Sequence, residues 1–423
     1  MGGGYRDRWY RRFVRRRLPA PLRLREFALL WSTILTARFA SAMVDVAVGW
    51  QVYAIHKRPF DLGLIGLAEF VPLPLLALPA GHLSDRFPRR RIAVVAGTLN
   101  AGIVALLLVV TIHGARALWP FVALAAAAGI ATVIGSPALN ALTPEIVPVE
   151  LLPGAVALRS VAGQTAVVSG PAIGGLLFAV RPELVYSVAL GLLVAAVGAA
   201  LSLKRRPPVS TDRPPGLGEL VAGVRFVLRT RILLGAIGLD LFAVLFGGAV
   251  ALLPVYARTI LDVGPVGLGV LRTAPAVGAL CAAIILARRP LRYPAGTTLL
   301  VVVAAFGASI VVFGLSKSLL LSLIALAVSG FVDMISVNIR STTAALVTPN
   351  ELRGRVLAVE WVFISASNEL GAFESGAAAA LLGTVTAVVA GGVATIGIAA
   401  SWTRLFPSLA RMGRLEDLKP EPA

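Results

Sequence analysis

Gly81-His-Leu-Ser-Asp-Arg-Phe-Pro-Arg-Arg-Arg91 decides how this chain is read. It is a short basic loop between two long apolar runs. Asp85 sits beside Arg86 and ahead of Arg89, Arg90 and Arg91. Gly81 allows two helix ends to approach closely, and Pro88 stiffens the turn. On charge alone the segment is a topogenic loop whose cations hold one side of a membrane. That reading accounts for the arginines but not for Gly81 or Asp85. What the residue order means depends on where the loop falls among the apolar runs.

Outward from the loop, the chain is strongly apolar. Of 423 residues, 57% are hydrophobic and 14% charged, and the mean hydropathy is +0.86. Soluble domains carry about a quarter charged residues. Too little polar surface is left to coat a soluble globule, so the expected class is a multispanning membrane protein. The net charge of +18 does not indicate nucleic-acid binding. Its basic residues sit in short loops and tails, where they set topology and meet anionic headgroups. Cys281 is the only cysteine, which excludes disulfide frameworks and cysteine metal sites. His56, His82 and His113 fall near expected span ends and read as interfacial residues. No nucleophile–base pair, metal cluster or nucleotide loop is apparent, so neither an enzyme nor a cofactor or metal site is expected.

At about 20 apolar residues per crossing, twelve spans are expected, at roughly 27–55, 62–81, 91–112, 118–141, 152–180, 184–203, 231–257, 265–287, 296–315, 319–344, 354–382 and 384–404. The loops alternate in charge. One side collects the N-terminal arginines, the Asp85–Arg91 loop, Lys204-Arg205-Arg206, Arg288, Arg289, Arg353, Arg355, Arg404 and Arg411. The other holds scattered cations such as Lys57, Arg116, Arg181 and Arg258. The positive-inside rule then makes both termini cytoplasmic. The head is either an amphipathic helix on the inner leaflet or a disordered basic anchor. Its following apolar run is too long for a cleavable signal peptide.

The fold expected is all-α, with twelve transmembrane helices in two pseudo-symmetric six-helix bundles. Residues 1–26 form a basic cytoplasmic segment, 27–203 the first bundle, 231–404 the second and 405–423 a cytoplasmic tail. Between the bundles, 204–230 is a proline-rich linker ending in a short amphipathic helix from Gly218 to Arg229. The halves repeat. Leu142-Thr-Pro-Glu145, Glu150-Leu151 and Gly154 precede span five, as Val347-Thr-Pro-Asn350, Glu351-Leu352 and Gly354 precede span eleven. A parallel six-plus-six duplication is a transporter architecture, with its site between the halves near mid-membrane.

Ionisable residues inside spans are costly and usually face the bundle interior or a water-filled cavity. Arg38 and Asp45 share a face of span one, and Asp333 and Arg340 share a face of span ten. Span two carries Glu69, span seven Asp240, and span eleven Glu360, Glu369 and Glu374. At 100° per residue Glu360, Ser367, Gly371 and Glu374 share a face and Glu369 points away. Asp240, Asp333, Asp45, Glu69 and Glu374 are the candidate proton acceptors, because a carboxyl taken out of water favours its protonated form. Arg38 and Arg340 are candidate counter-charges. The alternative is structural ion pairing within the bundle. Span five holds Ser169-Gly-Pro-Ala-Ile-Gly-Gly175. Gly170 and Gly174 lie on one face and permit close helix approach, while Pro171 bends the span.

Gly-x-Leu-x-Asp-Arg-x-x-Arg-Arg from Gly81 resembles the loop between helices two and three of the major facilitator superfamily. Gly170-Pro171-x-x-Gly174-Gly175 resembles the antiporter motif of its drug exporters. Val48-Gly-Trp-Gln-Val-Tyr53, Leu239-Asp-Leu-Phe-Ala-Val-Leu-Phe-Gly-Gly248, Asn338-Ile-Arg-Ser341 and Ser367-Asn-Glu-Leu-Gly371 look like the enterobactin-exporter-like branch, the transmembrane secretion effectors. The resemblance implies alternating access in a bacterial inner membrane. It implies export of small amphipathic molecules, such as siderophores or drugs, by proton antiport. It places helices one, four, seven and ten around the cavity. The expected partners are a small-molecule substrate, protons and membrane lipids, with the chain monomeric. A lipid flippase or an uptake carrier is the competing reading. Three departures stand out: span four lacks the arginine many proton-coupled exporters carry, Ala372 replaces a glutamate, and Glu69 replaces a glutamine. For the opening loop the expected role is a latch. Asp85 would accept charge-assisted bonds from the other half and hold the cytoplasmic side closed.

Overall fold

The computed structural model describes residues 19–205, 217–289, 291 and 293–418. Among them there is no β-strand, and twelve helices are long and apolar enough to cross a membrane. Span one is Arg25–His56. Span two is built from two pieces, Pro59–Phe70 and Pro72–Arg86. Spans three to six are Arg89–Ile112, Trp119–Ile146, Leu152–Val180 and Pro182–Leu201. Helix Leu217–Arg229 lies between the halves. Span seven starts as Arg231–Gly247 and continues irregularly to Ile260. Spans eight to twelve are Gly264–Arg288, Ala295–Leu315, Leu319–Val347, Asn350–Leu382 and Thr384–Leu405.

Local chemistry sets the breaks. Lys57 takes a left-handed φ of 54° after span one, and Pro59 starts span two in the position a helix tolerates proline. Span two breaks at Val71 because Pro72 and Pro74 follow it and remove two backbone donors. Span seven breaks at Gly247-Gly248. It then passes through a 3₁₀ turn, Ala249–Leu252, and a π turn, Tyr256–Ile260.

The basic loop differs from its expected form. Gly81 and Asp85 lie on the helix Pro72–Arg86, and only Phe87 and Pro88 separate it from the next. Polar residues do not end a helix that can project them into water, whereas Pro88 does. Likewise Leu142–Glu145 belongs to the last turn of span four rather than to a loop. The arginine-rich head, up to residue 18, and linker residues 206–216 lie outside the described residues. The linker helix buries Phe226 and Val227 against Leu233, Val347 and Val356 of the second half.

The packing distinguishes two faces. The linker face carries the loops at 87–88 and 348–349 and the segment after span twelve. There each apolar cluster belongs to one half alone: Leu30, Ile34, Ala93 and Leu142 in the first, Leu239, Leu299, Ile339 and Trp402 in the second. Toward the opposite face a single cluster is shared. It joins Met43, Phe121 and Tyr186 of the first half to Leu252, Tyr256, Leu268 and Phe313 of the second. The halves also touch backbone to backbone at that end. A Cβ on Gly175 would lie 2.4 Å from the Pro265 carbonyl oxygen, and one on Gly376 2.9 Å from Gly63 Cα.

Candidate substrate cavity and charge clusters

A cavity of about 510 Å³ lies between the halves. Its wall is mostly apolar. Among the described residues, the charged groups lining it are Asp45, Glu69, Asp333 and Glu369, against one cation, Arg272. Asp45 comes from span one and Arg272 from span eight, so their contact crosses the boundary between halves. Arg272 Nη2 lies 3.8 Å from Asp45 Oδ2, and Nη1 donates to the Asp45 backbone carbonyl at 3.4 Å. The Arg272 and Asp45 side chains keep 29% and 47% exposure.

Glu69 is positioned by the break in span two. Its carbonyl presses on span four at Gly129, where a Cβ would come within 2.2 Å. Its carboxylate is within electrostatic reach of Asp45, Glu369 and Arg272. Glu369 lies over Gly66. A Cβ there would be 3.4 Å from Glu369 Oε2 and 3.0 Å from Ala372 Cβ, so the small side chain at 372 lets spans two and eleven meet. The helical wheel set Glu369 opposite Glu360, Ser367, Gly371 and Glu374. In the structure Glu369 lines the cavity and Glu374 does not. The wheel gives relative angles only; contact with span two decides which face turns inward.

A second cluster sits inside the second half. Arg340 Nη1 and Asp240 Oδ2 are 2.6 Å apart, and both side chains are almost fully buried. Ser336 Oγ accepts from Arg340 Nε at 3.3 Å. Asp333 and Glu360 lie within electrostatic reach of this pair, and Asp333 also faces the cavity. Arg340 therefore has a carboxylate partner. Arg38 does not. It forms no ion pair among the described residues, and the charge it faces is that of Arg159.

Arg159 and Arg272 are the residues sequence reading missed. Both are ionisable residues within spans, and that signal was sufficient to find them. Arg159, on span five, donates to Thr143 Oγ1 at 2.6 Å and to the Asn140 side chain and carbonyl. A neighbouring helix thus brings a guanidinium to the polar end of span four, which has no arginine of its own.

The motif residues bind locally. Arg89 Nη1 pairs with Glu145 Oε1 at 2.5 Å and donates to the Ala141 carbonyl at 3.2 Å. Arg90 donates to the Ala200 and Leu201 carbonyls at the end of span six. Arg86 is exposed. Arg89 and Arg90 therefore tie together spans of their own half. In span five, Gly170 meets Ala42 and Gly174 meets Met43, both on span one. Gly175 faces span eight, where a Cβ on Gly269 would lie 2.5 Å from the Pro171 carbonyl oxygen. Between the same two spans Gln164 Nε2 donates to the Ala276 carbonyl at 3.3 Å.

Two helical bundles with a charged cavity at their boundary define a membrane transporter of the facilitator class. Residues 18–418 match the family described as transmembrane secretion effector. The chain belongs to that family of the major facilitator superfamily, and it is a multi-pass membrane transporter of small molecules rather than an enzyme. It is similar to the multidrug efflux pump Tap of Mycobacterium tuberculosis, with 29% identity over 369 residues, covering 83% of this chain and 86% of that one. Similarity to the enterobactin exporter EntS of Escherichia coli is 28% over 346 residues, covering 76% and 79%. Two solved structures share the fold. A bacterial homologue of the human lysosomal transporter Spinster, inward-facing and unoccupied, has a TM-score of 0.74 at 15% identity, covering 95% and 99%. The nucleoside transporter NupG has a TM-score of 0.67 at 13% identity, covering 90% and 98%.

Proposed function

We propose that this protein is a secondary active exporter of small amphipathic molecules, drug- or siderophore-like, working by alternating access with proton antiport. It sits as a monomer in the inner membrane with the linker face and both termini cytoplasmic. The observation that carries this reading is the asymmetry of the core. One apolar cluster joins the halves at one face, separate clusters stand apart at the other, and the cavity lies between. We read this as the state open toward the linker face. Rocking the halves would exchange the shared contacts around Gly63, Gly175 and Gly269 for contacts on the linker side. The proton carriers are drawn from the cavity carboxylates Asp45, Glu69 and Asp333, with Glu369 added; Asp240 serves as partner to Arg340. Gly81, Asp85 and Arg86 remain the proposed cytoplasmic gate motif, to meet the other half when the linker side closes.

Proteoliposomes containing a lumenal pH dye and loaded with candidate drugs test this. Substrate should drive an opposing proton flux that falls at least tenfold in Glu69→Gln or Asp333→Asn. Transport with no accompanying proton movement would remove antiport from the reading, and wild-type flux in both variants would remove these acids as carriers.

A further inference from the structure

We infer that the cavity takes amphipathic monocations, and that Arg272 sets this preference as a built-in counter-charge that the substrate displaces from Asp45. The inference rests on reading the cavity as the substrate site, and it names that site's charge class. Among the described residues, four carboxylates line the space and one guanidinium answers them. Ionised, such a lining is net negative, and its apolar walls focus that potential, so it attracts a further positive charge. The wall around the charges is apolar, made by residues such as Val48, Leu107, Phe121, Val244, Phe306 and Ile310, and would cover the body of such a molecule.

Arg272 is placed to act as a stand-in for that cation. Its ion-pair contact with Asp45 is long at 3.8 Å, both partners keep access to the cavity, and no other carboxylate pairs with it among the described residues. An exposed pair of this kind is worth no more than about 1 kcal/mol. A substrate cation can therefore take its place at Asp45 at little cost. Glu69 and Glu369 face the same point from spans two and eleven. The exchange has a mechanical side. Asp45 belongs to one half and Arg272 to the other, so occupancy removes a bond between the halves. This makes Arg272 a specificity-determining residue, whereas Asp240–Arg340, fully paired inside one half, has no such freedom.

The test uses two probes of nearly one shape and opposite charge, tetraphenylphosphonium and tetraphenylborate. Binding to full-length protein in phosphatidylcholine nanodiscs is measured above that to empty nanodiscs. Wild type should prefer the phosphonium. Arg272→Gln should strengthen phosphonium binding on the order of tenfold, as removal of a competing charge at this range implies, and should not strengthen borate binding. Arg272→Lys should stay near wild type. Asp45→Asn and Glu69→Gln should weaken phosphonium binding on the order of tenfold. These variants read the same preference from the acidic side should Arg272→Gln fail to fold. Equal affinity of wild type for both probes, or an unchanged preference in Arg272→Gln and Asp45→Asn together, would overturn the inference. Because binding is read without transport, charge-selective binding by a protein that moves nothing in proteoliposomes would leave the inference standing and sink the exporter reading instead.

Discussion

Asp240–Arg340 and Asp45–Arg272 are both carboxylate–guanidinium pairs between membrane-spanning helices, yet they are built for opposite purposes. The first is short, at 2.6 Å, nearly inaccessible and contained in one half. The second is long, at 3.8 Å, open to the cavity and shared between halves. Breaking a buried pair strands a charge and costs about 3–5 kcal/mol. Breaking an exposed one costs about 1 kcal/mol or less. The difference shows where this fold spends charge on permanence and where it leaves charge exchangeable.

Arg340→Ala offers the sharpest way to break that contrast. It should lower stability by about 3–5 kcal/mol, seen as a large fall in the melting temperature of the purified protein, and Asp240→Asn in the same chain should restore much of it. An Arg340→Ala protein that melts like wild type would erase the distinction. An intermediate effect is expected at the glycines. Gly269→Val places side-chain atoms on the Pro171 carbonyl across the halves, whereas Gly170→Val crowds Ala42 within one half. Each should cost about 1–3 kcal/mol. Only Gly269→Val should widen the separation of spin labels placed on the two halves at the face away from the linker. Equal distances in the two variants would show that both contacts belong to one rigid body. Asp45→Asn should have the smallest effect on folding, below about 1 kcal/mol in melting experiments. A loss matching that of Arg340→Ala would make the open pair structural as well.

Much of this architecture was legible in the sequence because membrane spans announce themselves by length and apolarity. The twelve crossings needed only that rule, and the proline-rich linker located the change of half. The pairing of charges was less legible. Asp240 and Arg340 are brought together by the packing of spans seven and ten, which no local pattern records. The wheel set Glu369 opposite Glu374, but it has no absolute orientation, and contact with a neighbour such as Gly66 decides which of the two faces the cavity. Arg272 was visible all along as an arginine in mid-span; its importance lay in the acid it meets on another helix. The opening loop was misjudged for a local reason. Asp85 and Arg86 are compatible with a helix that runs on past the apolar stretch, so the turn shrank to Phe87 and Pro88.

Gly174 and Gly175 are adjacent in the chain, yet the first packs against Met43 on span one and the second against Pro265 and Gly269 on span eight. Under mutation and selection the two should drift differently. A bulkier residue at 174 can be accommodated by a compensating change in its constant neighbour, whatever the protein is doing at that moment. On the alternating-access reading proposed above, a bulkier residue at 175 meets partners that the halves must release and regain, so any repair has to suit two arrangements at once. Variant libraries recovered on a toxic substrate should therefore be richer in second-site rescues for position 174 than for position 175.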